Sequence, residues 1–178
     1  MIARRSLLLA AAAVLLGGAV ANHALAAPPA DDPVTIVNAI YARVAKGKGD
    51  GGGTFVINSK AAKAKYLSKP LIEVWAKADA RTQKGDGGPI GSDPVTNSQD
   101  PDVKSFKVVS EKSEANKAIV AVTLTAHGEQ RKYPADNVVR YDFVREPGGW
   151  KIDDFRGTVD GKPWSVRQLL VNYLKLFR

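Results

Sequence analysis

The chain has 178 residues, and its 26 lysines and arginines against 18 aspartates and glutamates give a net charge of +8. It contains no cysteine, which excludes disulfides, thiolate metal sites, a cysteine nucleophile and lipid attachment through a cysteine. A basic balance admits nucleic acid, anionic headgroups or acidic polymers as partners. The lysines are scattered, however, with no dense basic patch interleaved with aromatics, so nucleic acid is not expected.

Arg4 and Arg5 precede an apolar run over residues 7–16, Gly17 and Gly18 break it, and Ala24-Leu25-Ala26 supplies the small-x-small pattern of a signal-peptidase site. Residues 1–26 are therefore expected to be a cleaved signal peptide, and residues 27–178 a single exported domain, periplasmic or secreted. The arginine pair fits the Sec route and also admits twin-arginine export. The apolar run is about half of the roughly 20 residues needed to cross a bilayer, and no second one follows, so no membrane span is expected. Removing those 26 residues leaves 152, with a charge of +6. That length can bury a core without covalent staples.

After a short Pro-containing lead, Asp32 is placed to cap a helix with Pro33 at its first position and apolar residues at Val34, Val37, Ile40, Tyr41 and Val44. Gly47 ends it and opens a glycine-rich loop over 47–53. Gly47, Gly49 and Gly52 fit G-x-G-x-x-G, but a dinucleotide fingerprint must follow a strand and open a helix, and this one follows a helix. A short helix is expected over 59–66. Leu67-Ser68-Lys69-Pro70 leads into another that carries Leu71, Ile72, Val74, Trp75 and Ala78. Residues 83–102 collect glycine, proline, serine, aspartate and asparagine, a loop longer than most connections inside a compact domain.

From Val103 onward the apolar period becomes two. Phe106 and Val108, then Val120, Val122 and Leu124, then Val139, Tyr141 and Phe143, then Trp150 and Ile152 predict a four-stranded antiparallel meander. The chain closes with a helix whose start combines a capping box, Ser165 with Gln168, and a staple of Trp164 on Leu169. Its apolar stripe is read as Val166, Leu169, Leu170, Tyr173, Leu174 and Phe177. Helices first and then a curved antiparallel sheet predict an α+β fold, with helices on one face of the sheet and a C-terminal helix.

Three blocks make the chain similar to a known group. Tyr66-Leu67-Ser68 before Leu71 and Trp75, the central run from Asp93 to Asp100, and Gly149-Trp150-Lys151-Ile152-Asp153-Asp154 resemble domain-of-unknown-function family 3828. The resemblance spans roughly Pro33 to Leu170. It implies an exported or lipid-anchored bacterial envelope protein with a fold similar to nuclear transport factor 2, in which a bent, cone-like sheet closes around a concave pocket. It implies no particular activity, and this chain lacks the cysteine of the lipid-anchored members.

Alternation places Asp154 on the strand face of Trp150 and Ile152, where desolvation raises a carboxylate's pKa into a range useful for acid–base work. Asp154 is the candidate base and Tyr141 a candidate donor. The competing reading is structural, with Asp154 capping a helix or pairing with a cation such as Arg167. Asp93, Asn97, Asp100 and Asp102 gather hard oxygen ligands, but their spacing is not that of an EF-hand and suits Asx-turns that lock the loop onto the sheet, so no metal is expected. His127 is placed at an exposed turn. Trp75, Trp150, Trp164 and Tyr141 are read as core residues before pocket-lining ones.

Three functional classes follow. The leading one is an exported binding or accessory protein without a cofactor, which engages a small molecule or an envelope protein through the concave sheet pocket or the 83–102 loop. Asp93, Asn97, Asp100, Trp150, Asp154 and Arg167 are its candidate binding residues. The second is a cofactor-free isomerase or dehydratase built on Asp154 and Tyr141. The third is an interaction or inhibitor module acting through an exposed surface.

Overall fold

The computed structural model describes residues 32–47, 52–83, 85, 87–129 and 131–177. The expected signal peptide, most of the lead after it and part of the glycine-rich loop lie outside the described residues. Four helices and five strands follow in the order α1 (Pro33–Val44), α2 (Lys60–Tyr66), α3 (Lys69–Asp79), β1 (Ser105–Ser113), β2 (Lys117–Thr125), β3 (Val138–Glu146), β4 (Gly149–Val159), β5 (Lys162–Ser165) and α4 (Val166–Lys175). No described helix is long and apolar enough to cross a membrane.

Each helix begins where a short polar side chain can accept one of the unpaired N–H groups of its first turn. Asp32 Oδ2 accepts from Thr35 N at 3.1 Å, Ser59 Oγ from Ala62 N at 3.1 Å, Ser68 Oγ from Leu71 N at 3.2 Å and Ser165 Oγ from Gln168 N at 3.1 Å. Pro33 and Pro70 fall in first turns, where a missing N–H costs nothing. The expected capping box is only half made. Gln168 turns its side-chain amide to Asn172 Oδ1 at 2.8 Å and does not reach back to Ser165.

The sheet is an antiparallel meander in strand order β1-β2-β3-β4-β5, one strand more than the four expected. The fifth strand exists because Asp160 and Gly161, with φ of +51° and +73°, make a two-residue turn that pairs Val159 with Lys162. Positive φ at both central residues is the type I′ geometry whose twist matches a hairpin. Pro163 is tolerated in β5 because that strand lies at the edge of the sheet.

Helices α1, α3 and α4 cover one face. Val37, Ile40, Tyr41 and Val44 of α1, Leu71, Trp75 and Ala78 of α3, and Val166 and Leu170 of α4 share one core with Val120, Val122, Val139, Tyr141, Phe143, Ile152 and Phe155 from the sheet. Within it Tyr141 stands edge-on to Phe155 and Tyr41, with ring centroids 5.2 and 6.1 Å apart. The α4 stripe is narrower than expected, since Leu169 and Phe177 are exposed. Phe177 lies beyond the helix end, against Tyr173 at 5.1 Å.

Strict alternation fails in β4. Asp142 pairs with Asp154 but the next residue, Phe143, pairs with Ile152, so Asp153 is an extra residue in a β-bulge. The insertion reverses the facing of everything after it. Phe155, opposite Tyr141, therefore joins Ile152 in the core, and Asp154 turns to the other face with its partner Asp142.

Candidate functional site

Because of the bulge, the two side chains read as an acid–base pair stand on opposite sides of the sheet. Tyr141 is fully buried in the helix-covered core, where its hydroxyl donates to Tyr41 Oη at 3.0 Å and Tyr41 donates onward to the Val95 carbonyl at 2.5 Å. Burial pushes both phenols up, away from proton exchange near neutrality. Asp154 accepts from Ser165 Oγ at 2.5 Å, from Arg167 N at 2.9 Å and from Phe155 N at 2.9 Å. Burial raises its pKa, the bonds from Ser165, Arg167 and Phe155 oppose the rise, and Asp142 adds to it. The carboxylate holds the first turn of α4 against β4.

Arg167 sends its guanidinium to the bulge residue, with Nη2 at 2.5 Å from Asp153 Oδ1 and 2.9 Å from its carbonyl. Ser68 Oγ donates to the same Oδ1 at 2.5 Å, and Ser68 N donates to the Ile152 carbonyl at 2.8 Å. Asp153 thus joins the start of α3 to the start of α4. Trp150 is half-buried at the end of the sheet with the Arg145 guanidinium 5.5 Å from its ring.

The central block packs as a plug. Asp93, almost fully buried, accepts from Gly53 N at 2.6 Å, Val95 N at 2.9 Å and Thr96 Oγ1 at 2.8 Å. Asn97 adopts φ +52° and donates from Nδ2 to the carbonyls of Asp136 at 2.9 Å and Thr158 at 2.7 Å, while its buried Oδ1 has no partner among the described residues. The Asp100 carbonyl accepts from Ser98 Oγ at 2.7 Å. Asp102 leaves the block altogether. It accepts from the N–H groups of Gly128 at 2.9 Å and His127 at 3.0 Å, with the His127 ring Nδ1 at 2.7 Å, and these contacts lower it to about 2. Among the described residues no three His, Cys, Asp or Glu side chains meet as a metal-holding group.

A carboxylate not singled out in the sequence organises the last hairpin. Asp136, in a 3₁₀ turn before β3, accepts from Thr158 Oγ1 at 2.6 Å, Asp160 N at 2.9 Å and Gly161 N at 3.2 Å. Burial works to raise its pKa, but those bonds and the Arg131 charge bring it below the ordinary value. The sequence signal available was Asp160-Gly161 between two strand-like residues, which marks a hairpin.

That hairpin is flanked by two open cavities that share Pro163 and Trp164. One, of about 390 Å³, is walled chiefly by Ile90, Pro94, Val159, Trp164, Val166 and Leu169, with Asp160 and Lys162 at its polar margin. The other, of about 490 Å³, carries Arg140, Arg156, Thr158, Trp164, Ser165 and Gln168. The Trp164 indole lies against Gly157, where an added Cβ would come within 2.9 Å of the ring. Its N–H is buried without an acceptor among the described residues. A buried donor left unpaired costs about 1–3 kcal/mol, so such donors are uncommon away from sites. Of the expected binding residues, none lines the apolar groove, although Ile90, Ser92 and Pro94 bring the 83–102 loop to it.

No protein-family model, curated protein or solved structure matches the chain.

Proposed function

We propose that the chain is an exported envelope protein of the cone-like group its motif blocks resemble, and that it binds a small, mainly apolar ligand in the groove between the 90–94 segment, the β4–β5 hairpin and the start of α4. The observation that carries this reading is the groove itself. Its roughly 390 Å³ falls in the size range of small-molecule sites, and apolar walls with a few polar groups at the margin are their usual composition. The helix-covered sheet face is filled by Tyr41, Tyr141, Phe143 and Phe155, all buried, which is why the ligand is assigned to the hairpin end.

The test is a titration of the processed protein with the neutral fluorophore N-phenyl-1-naphthylamine. Saturable binding is expected, weakened about tenfold or more by Leu169→Glu, a change at an exposed position that leaves the core intact. Absence of saturable binding, or binding indifferent to Leu169→Glu, refutes the groove. Export is tested separately by fractionation and N-terminal sequencing. A chain that starts at Ala27 in the periplasm or medium is expected, and a cytoplasmic chain that retains Arg4 refutes it.

A further inference from the structure

The second cavity carries an inference independent of the apolar groove. Arg140 and Arg156 are directly opposite one another on β3 and β4, on the face away from the helices. Like charges in that position repel unless each is neutralised. Each is neutralised here, by a fork. Arg140 places Nε and Nη2 on Glu111 at 2.9–3.1 Å, and Arg156 places Nε and Nη2 on Asp142 at 2.7 and 2.6 Å. Both forks use the same two nitrogens and leave Nη1 of each guanidinium without a hydrogen-bond partner among the described residues. The two groups are thereby held in fixed orientations on the wall of one cavity of about 490 Å³.

What the cavity offers is donors without an excess of positive charge. Glu111 and Asp142 cancel the two cations, and Asp154 adds a third carboxylate whose field also acts on Arg156. An oxyanion would meet no excess of positive charge. A neutral ligand rich in oxygen would meet two fixed Nη1 donors, the Gln168 amide and the Thr158 hydroxyl oxygen, which already donates to Asp136 and is left to accept, whereas Ser165 Oγ is committed to Asp154 and to Gln168 N. Pro163, paired with Thr158 on the same face, supplies an apolar surface beside this polar array, while the Trp164 indole lies with Gly157 on the other face. Fixed donors and an acceptor next to the apolar Pro163 ring match the hydroxyls and C–H face of a sugar ring. We propose that this cavity is a binding site for a neutral saccharide, gripped by Arg140 and Arg156.

The experiment is isothermal titration of the processed protein with cellobiose and with N,N′-diacetylchitobiose, each compared with inorganic phosphate and sulfate. At least one disaccharide is expected to bind with Kd at or below about 1 mM. The double variant Arg140→Lys, Arg156→Lys keeps both charges but loses both forks, so it is expected to weaken that binding about tenfold or more. The variant should still melt cooperatively and its naphthylamine titration should match wild type, which separates this site from the groove. Retention on crystalline cellulose or chitin would identify a polymeric source, and binding of the soluble disaccharide alone a free sugar; either supports the assignment. Disaccharide binding unaffected by the lysine pair, no disaccharide binding, or tighter binding of phosphate or sulfate than of either sugar overturns it.

Discussion

The carboxylate of Asp93 accepts the backbone N–H of Gly53 at 2.6 Å, joining the end of the glycine-rich loop to the central plug. The same Oδ2 also receives Thr96 Oγ1, and Oδ1 receives Val95 N. Asp93→Asn replaces one acceptor oxygen by a donor facing donors. Hydrogen bonds to a charged group are worth about 1.5–3 kcal/mol each, and a loss of about 3 kcal/mol is expected. For a domain of this size that is a fall of about 6–12 °C in Tm by thermal melt. An unchanged Tm would show that the plug is not a fastening.

Leu169 and Leu170 are neighbours in sequence and opposites in role. Leu170 is fully buried, so Leu170→Ala is expected to cost about 2–4 kcal/mol. Leu169 is 39% exposed and lines the apolar groove, so Leu169→Ala should cost well under about 1 kcal/mol while weakening naphthylamine binding. Denaturant melts with parallel titrations separate the two. Equal destabilisation by both would contradict the placement of α4.

Asp102 and Asp154 should respond to acid with opposite signs. Asp102 is lowered from 3.8 to about 2, so its stabilisation is present above 3.8 and lost as pH falls toward 2. Asp154 is raised above 3.8, so its contribution is full below that value and lost as pH climbs through its folded pKa. Asparagine removes each titration. The stability gap between wild type and Asp102→Asn should therefore close on acidification, whereas Asp154→Asn should gain on wild type as pH rises from 3.8. Denaturant midpoints measured across that range decide it, and parallel curves for both variants would refute both shifts.

Deleting the last helix is a harsher change than weakening its cap. Ser165→Ala removes the bond to Gln168 N and the one to Asp154 Oδ2, for an expected loss of about 1–2 kcal/mol. Truncation before Trp164 uncovers the core around Val166 and Leu170 and should abolish cooperative melting, because a domain's whole margin is about 5–15 kcal/mol. A truncated chain that melts near wild type would make α4 peripheral.

The helices were legible because their start signals are local. Asp32 and Ser165 were placed as caps and cap as their positions imply, and Ser59 and Ser68 cap α2 and α3 in the same way. Four strands were legible from period two. The fifth was not, because β5 has four residues, one of them proline, too short for periodicity, although Asp160-Gly161 carried its turn. The bulge at Asp153 was invisible to any argument from alternation, and it alone moved Asp154 off the core face. The candidate site was the least legible part. Its walls come from residues 90–94, 140, 156–160 and 162–169, which only the hairpin and the start of α4 bring together.

The strand order has a consequence for how the chain is made. Every pairing in the sheet joins neighbours in sequence, so the meander can zip from any hairpin with little loop-closure entropy to overcome. The helices that come first in the chain have no such freedom. The buried side of α1 lies on β1 and β2, and that of α3 on β4 and α4. During synthesis residues 33–79 therefore emerge with their apolar sides uncovered and wait for partners that appear up to about a hundred residues later, when all of the sheet has left the ribosome. Order of assembly runs against order of synthesis, and residues 33–79 are the part of this protein that must wait longest for its packing partners.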